Sequence, residues 1–245
     1  MIYQRTIADS VKVAGIGIHS GLKVSMTLHP AEADTGIVFQ RSDIPGATPI
    51  KADALNVGAT ENNTAIGTGR EAIHTIEHRV SGLYGFGINN AFIEIDGPEV
   101  PTMDGSSASF VFLIKETGVR VLNKTKKFLV VLDKVTVRDG DKWATIEPAD
   151  NLQVDSTIVF AHPLINTQRY FYDFNCESYI NEIARARTFG MFKDVDYLKR
   201  RGLIKGGSLD NAIVLVEREN VSQEELDHLA KLLGKEDKKI AVEGM

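Results

Sequence analysis

Two histidines, His74 and His78, stand four residues apart, and Glu77 directly precedes the second. On a helix, positions four apart share a face, so both imidazoles would reach a single metal ion. A carboxylate one step aside would lie close enough to take a proton from water held at that ion. These residue types at this spacing point to metal-assisted hydrolysis. The plainer reading of the same five residues is a helix that carries two partly exposed histidines.

Written out, the segment is H-x-x-E-H, the pattern of the inverzincin metallopeptidases, which recruit a distant glutamate as third ligand. Glu94, Glu99 and Glu147 are available for that role, and no motif marks any of them. Other clusters have plainer readings. Asp104-Gly105-Ser106-Ser107 reads as a turn and a helix cap rather than a catalytic loop. Gly206-Gly207-Ser208-Leu209-Asp210 follows no strand and opens no clear helix, so it reads as a loop rather than a phosphate cradle. Gly15-Ile16-Gly17-Ile18-His19 lacks the third glycine and the following helix of a dinucleotide site. Arg185, Arg187, Phe189 and Phe192 fit an amphipathic helix and its end, or a mixed polar and apolar pocket wall. Cys176 is the single cysteine, which excludes a disulfide framework and a cysteine zinc site.

The chain has 245 residues, enough for one large domain or two small ones. Hydrophobic residues make up 43% and charged residues 25%, a globular balance that can bury a core. A formal net charge of -5 argues against a nucleic-acid partner, which would select a basic stripe. Met1 to Ser10 has no apolar run of a signal peptide, and no stretch approaches the ~20 apolar residues of a membrane span. The expectation is a cytoplasmic protein without a membrane span, compatible with a substrate at a membrane surface.

The elements that would position these residues follow from periodicity. Val11 to Leu28 alternates around three glycines and predicts a two-stranded hairpin. Strands are expected at Gly36–Arg41, Ile50–Val57 and Ala91–Ile95, and helices at Glu71–Gly85 and Ser107–Gly118, with Ser106 or Ser107 as a cap. Asn123 to Lys127 is polar and basic and reads as a linker. Beyond it, strands are expected at Phe128–Arg138, Trp143–Glu147, Gln153–Phe160, Gln168–Phe174 and a buried Ala212–Val216. Helical patterns run over Glu177–Arg187 and Val195–Arg201, and Ser222 with Glu225 forms a capping-box spacing before a leucine-rich helix ending at Gly234. This order predicts an α+β protein of two similar halves: residues 1–122, a linker at 123–127, and 128–245 with a helical insert around 177–201. The second half has no counterpart of the Glu71–Ile95 unit and stops where a new strand should be under way, which reads as a C-terminally incomplete domain.

Several stretches together carry a resemblance. They are QRTI near the start, GIGIHSG at 15–21, TIEH at 75–78, GFGINNAFIEIDGPEVPTMDGSSASF at 85–110, DGDKWATI at 139–146, ARARTFGMFKD at 184–194 and RGLIKGGSLDNAIV at 201–214. In this order the chain resembles UDP-3-O-acyl-N-acetylglucosamine deacetylase, the zinc amidase of lipid A biosynthesis. The resemblance implies two α+β domains, each a small β-sheet packed against two helices, with the active site between them. It implies Zn2+ as cofactor and a UDP-linked acylated glucosamine as substrate. By the same resemblance His78 is a zinc ligand, Glu77 is the general base, and Thr188 hydrogen-bonds the developing oxyanion. Phe189 and Met191 would line the passage for the fatty acyl chain, Lys142 and Phe160 would lie on the nucleotide side, and His19 would stand near the site.

The sequence departs from the family pattern in two places. His74 stands where the family has a small residue, so the resemblance does not make it a ligand. The family's two other zinc ligands, in an H-K-x-x-D pattern on a late helix, and a later catalytic histidine do not occur; His228 follows Asp227 at the wrong spacing. The expectation is an N-terminal portion of the enzyme, with weak zinc binding and little activity. Two other readings stand beside it: a non-catalytic relative that still binds the UDP-sugar or acyl chain, and the H-x-x-E-H peptidase.

Overall fold

Period-two burial builds the first half of the molecule. A computed structural model describes residues 1–216 and 222–233. The chain opens with β1 (Tyr3–Ile7), β2 (Val11–Ile16), β3 (Lys23–Pro30), β4 (Ile37–Arg41) and the short β5 (Ile50–Lys51). Helix α1 (Glu77–Gly85), strand β6 (Ala91–Ile95), helix α2 (Ala108–Thr117) and strand β7 (Val119–Thr125) follow. Along β3 the residues Val24, Met26 and Leu28 are buried, and along β6 Ala91, Ile93 and Ile95, while the residues between them stay half-exposed. Side chains alternate across a pleated strand, so this pattern commits one face of each strand to the core.

The five-stranded sheet has the order β2-β3-β6-β4-β5. Only the β4–β6 pairing is parallel. Leu83 of α1 and Phe110 and Ile114 of α2 are fully buried and join one core with Met26, Phe39, Ile93 and Ile95 of the sheet. Each such side chain contributes on the order of 1.5 to 3 kcal/mol of burial. β1 and β7 form a separate antiparallel ribbon. Three of the five residues expected as a linker, Asn123 to Thr125, belong to β7, and Lys124 is ion-paired with Asp34.

Helix α1 starts six residues later than its apolar periodicity predicts. Ile73 bridges to Ile66, His74 bridges to Glu99, and Thr75 has φ 59°, a left-handed conformation that a helix cannot contain. The expected strand at Ile50–Val57 is cut to two residues because the Asp53 carboxylate accepts from the amides of Leu55 and Asn56 and turns the chain. Helix α2 has Ser107 at its N-cap position, but Ser106 Oγ accepts the Ala108 amide while Ser107 Oγ donates to the His78 carbonyl.

The second half is built from small pieces. Strands β8 (Val135–Asp139) and β9 (Lys142–Ile146) form one hairpin, and β10 (Gln153–Val159) and β11 (Thr167–Asp173) another. Helix α3 (Cys176–Ser178) passes into a π-helical turn (Tyr179–Ile183). Then come β12 (Phe189–Met191), α4 (Phe192–Arg200), β13 (Ile213–Leu215) and α5 (Gln223–Leu232). The helical insert expected around 177–201 is thus interrupted by a strand. β13 pairs with β12 in parallel, and Ile213 is 42% exposed, so this strand is not buried as expected. The capping box at Ser222 and Glu225 is present. The expected helix end at Gly234 and the stretch to Met245 lie outside the described residues. The mixed architecture, with several small sheets and helices, is α+β. The two halves meet where the Tyr179 ring covers Gly85 and its hydroxyl hydrogen-bonds Ser81, 2.6 Å away.

Arg79 is fully buried on α1, its guanidinium 3.4 Å from the Phe110 ring centroid. Among the described residues its three side-chain nitrogens find no hydrogen-bond partner. Burial pushes its pKa well below the ordinary arginine value. A lone buried cation is costly even with a ring beneath it. Arg79→Met, which keeps the stem and removes the charge, is expected to raise the thermal midpoint, at roughly 2 to 4 °C per kcal/mol recovered. A lower midpoint would mean that the guanidinium has a partner. Gly85→Ala gives a second check with the opposite sign. Helix propensity alone favours alanine by about 1 kcal/mol. An added Cβ would overlap the Tyr179 ring, so the variant is expected to melt lower, by about 1 to 3 kcal/mol of overpacking. A stabilised Gly85→Ala would disprove the contact.

Candidate active site

Glu77 and His78 open α1, and the turn before them sets where they point. The His74 amide donates to the Pro98 carbonyl at 2.9 Å, and the Val100 amide donates to the His74 carbonyl at 3.0 Å. Thr75 is buried, and its hydroxyl donates to Glu99 Oε1 at 2.9 Å. The Ile76 amide donates to the Thr64 carbonyl, and the Thr64 amide returns a bond to Glu77 Oε2 at 3.0 Å. That reciprocal pair orients the Glu77 carboxylate. His74 lies outside the helix, so it shares no helical face with His78, and the basis for two imidazoles on one ion is removed. Its Nδ1 stands 3.4 Å from Asn63 Oδ1.

Behind α1 runs the loop from Pro98 to Ser107. Ser107 Oγ donates to the His78 carbonyl at 2.9 Å. Two residues earlier, the Gly105 carbonyl accepts the Thr188 amide at 2.9 Å. Thr188 is therefore joined to the Glu77–His78 turn through the span Gly105–Ser107. Its carbonyl accepts the Ile213 amide, which fixes the chain on both sides. Gly105 has φ +81°, and an added Cβ would overlap the Asn211 carbonyl, so this position needs glycine for two reasons. Arg187 locks the same junction: its Nε donates to the Asp104 carbonyl at 2.8 Å and its Nη2 to the Asp210 carbonyl at 2.6 Å.

Asp104 does more than end a turn. Its carboxylate accepts from Ser106 Oγ and Ser109 Oγ. Burial raises this carboxyl, and the bonds from Ser109 and Ser106 outweigh it, so the pKa lies below the ordinary aspartate value. Glu99, 1% exposed, accepts from the amides of His19 and Ser20 as well as from Thr75. Burial raises it too, and hydrogen bonds from Ser20, His19 and Thr75 bring it below the ordinary glutamate value.

The remaining candidates lie in three places. Phe189, 43% exposed on β12, meets Phe160 edge-on with ring centroids 5.8 Å apart, and Met191 is half-buried two residues on. Lys142 stands on a different element, the exposed β8–β9 hairpin. His19 sits in the Gly17–Gly21 loop, where its carbonyl accepts the Lys205 amide. A catalytic zinc centre takes about three protein ligands. Among the described residues no three His, Cys, Asp or Glu side chains converge to hold a metal ion. The described residues therefore do not form such a centre by themselves.

Glu99 stood in the sequence only as an unmarked possible ligand, Asp104 as part of a turn and Arg187 as part of a helix end or pocket wall; their bonding roles, and that of Asn211, appear only in the fold. For Asp104 the available signal is a carboxylate beside Gly105, which reads equally well as an ordinary turn. The depressed carboxyls have a measurable consequence. A carboxyl lowered in the fold contributes stability that is present above its unfolded pKa, about 4, and is lost as pH falls through the folded value. The thermal midpoint is expected to hold between pH 7 and 5 and to fall below about pH 4. A midpoint that rises on acidification would contradict the Glu99 and Asp104 environments.

Residues 4–230 match the family model described as UDP-3-O-acyl N-acetylglycosamine deacetylase. A UDP-3-O-acyl-N-acetylglucosamine deacetylase of Citrifermentans bemidjiense is 47% identical over 226 residues, which cover 92% of this chain and 74% of the relative. Proteins of the same name from Geobacter sp. strain M21 and Acidithiobacillus ferrooxidans are each 46% identical, over 92% of this chain and 74% and 75% of their own lengths. With the GIGIHSG, TIEH, MDGSS and ARARTF segments brought together around α1, the chain belongs to the UDP-3-O-acyl N-acetylglycosamine deacetylase family.

Proposed function

We propose that this protein hydrolyses the N-acetyl group of a UDP-linked 3-O-acyl-N-acetylglucosamine, a step of lipid A biosynthesis. One observation carries the reading. In a chain that matches the deacetylase family over residues 4–230, the span Gly105–Ser107 hydrogen-bonds both the Glu77–His78 turn and Thr188. Glu77 takes a proton from water as the water oxygen attacks the acetyl carbonyl carbon. The carbonyl electron pair moves to oxygen, and the Thr188 hydroxyl donates to that oxyanion. The C–N bond then breaks, the proton passes to the departing amine, and acetate is released. Phe189 and Met191 line the passage for the acyl chain. Lys142 and Phe160 serve the nucleotide side, and His19 borders the site. A UDP-linked substrate places the reaction in the cytoplasm, and no helix among the described residues is long and apolar enough to cross a membrane.

Zinc is the cofactor this reading assigns, with His78 as the ligand. Because the described residues bring no three-ligand cluster, zinc retention by this chain is expected to be weak and its turnover low. That same observation favours a second reading, a relative that binds the UDP-sugar or acyl chain without turnover.

Acetate release from the UDP-linked substrate, assayed with zinc in excess, tests the proposal. Glu77→Gln is expected to lower kcat by about 10²- to 10⁴-fold, the range for a general base. Thr188→Val is expected to lower it by about 10²-fold or more, the loss of one oxyanion donor. No acetate from the unmodified chain, with calorimetry still detecting the UDP-sugar, would replace the first reading by the second. Metal analysis after dialysis is expected to find well under one zinc per chain, and less in His78→Ala. Equal retention in both forms would remove His78 as a ligand.

A further inference from the structure

We propose that Glu99 is a positioning residue for this reaction, a buried carboxylate that holds the Glu77 turn and the His19 loop as one unit. The inference rests on the deacetylase reading for its catalytic consequence and on geometry for the linkage itself. Thr75 is β-branched and adopts φ 59°, a conformation such residues avoid. It persists only where its surroundings hold it. His74 and Val100 pin the backbone from one side, and the Thr75 hydroxyl anchors to Glu99 Oε1 at 2.9 Å. Two residues on is Glu77. Where Thr75 is held therefore decides where α1 begins and where its first carboxylate points.

The same carboxylate closes the Gly17–Gly21 loop. Oε1 accepts the His19 amide at 3.0 Å, and Oε2 accepts the Ser20 amide at 2.8 Å. Gly17 has no room for a side chain, because an added Cβ would overlap Glu99 Oε2. The loop carries the contact onward. Its His19 and Ile18 carbonyls accept the amides of Lys205 and Gly206, and the Gly206 carbonyl accepts from Asn211 Nδ2 at 2.9 Å. Asn211 in turn lies over Gly105, whose carbonyl holds the Thr188 amide. Glu99 thus joins the element that bears the base to the loops that border the substrate from the other half.

The chemistry requires a carboxylate. Two amides and the Thr75 hydroxyl, joined by the Ser20 side chain, converge on two oxygens. An ionised glutamate accepts at both oxygens, whereas a glutamine presents one oxygen and an NH2 that faces a donor. Glu99→Gln keeps the size and breaks one side of the clamp, so it separates acceptor chemistry from space filling. Thr75→Val keeps the β-branched shape and removes one bond.

Hydrogen exchange by mass spectrometry and steady-state deacetylation, each on the full chain with excess zinc, test this. In Glu99→Gln, exchange is expected to rise in both 15–21 and 73–77, with kcat lower by about 10- to 100-fold and KM within about threefold. Glu99→Asp is expected to recover part of both effects. Thr75→Val is expected to loosen 73–77 while leaving 15–21 protected. Unchanged exchange in Glu99→Gln, or a rise in only one segment, overturns the linkage. Doubled exchange with unchanged kcat overturns the positioning role. A loss of KM alone does the same. Should Glu99→Gln fail to fold, Glu99→Asp and Thr75→Val decide by the same readouts. An unmodified chain without turnover counts against the deacetylase reading alone, because the exchange results still judge the clamp.

Discussion

A carboxylate taken out of water has to be met by donors, and among the described residues the Glu99 carboxylate is met by no cation. Two backbone amides, the Thr75 hydroxyl and the Ser20 side chain supply the bonds. That requirement organises the surrounding chain. The donors belong to segments far apart in sequence, so each must be delivered to one point, and the sheet and loops that deliver them are thereby fixed relative to one another. Glycine at Gly17 and the strained Thr75 are consequences of that convergence. A charge satisfied by hydrogen bonds from the backbone is specific in a way that apolar burial is not, because amides have direction.

Arg79 is the converse case, only four residues along the chain from Thr75. It is buried to the same degree with an aromatic ring beneath it and no hydrogen-bond partner among the described residues. The helix that carries the candidate base and ligand is thus held by one well-satisfied acid at its entry and burdened by one unsatisfied base within its first turn. Residues that cost stability tend to collect near functional sites, since such sites are shaped for chemistry before packing.

Burial is distributed unequally between the halves. The sheet, α1 and α2 share one large core, whereas the hairpins β8–β9 and β10–β11 leave Trp143 and Val159 64% and 74% exposed. The first half accordingly has the rigidity to hold Glu77 and His78, and the second meets it through hydrogen bonds, among them Arg187 to Asp104, Thr188 to Gly105 and Lys205 to His19, and through an apolar cluster of Val111 and Phe86 with Tyr172, Tyr179 and Ala184. The bonds at Gly105 and Asp104 set where Thr188 stands relative to α1. The arrangement suits a site formed by loops from both halves, in which small shifts in a loop change the relation between Glu77 and Thr188.

The α+β class, the paired strands β2 and β3, strand β6, helix α2 and the Ser222 capping box were all legible in sequence, because each depends on neighbours within a few positions. So was the family, from short segments kept in order. The His74–His78 spacing illustrates the limit: four residues apart implies one face only if the helix spans both, and a left-handed Thr75 ends it between them. Local periodicity cannot foresee that turn, since what holds it is a carboxylate 24 residues away in sequence. The same holds for Asp104 and Arg187, whose bond to each other spans 83 residues and is invisible until the chain brings them together. Sequence by itself determined the α+β class, many of the elements and the family they belong to, because propensity and motif are written locally. Tertiary structure alone decided where α1 starts and which loops are tied to Glu77, His78 and Thr188, because directional bonds between distant segments exist only once the chain has folded.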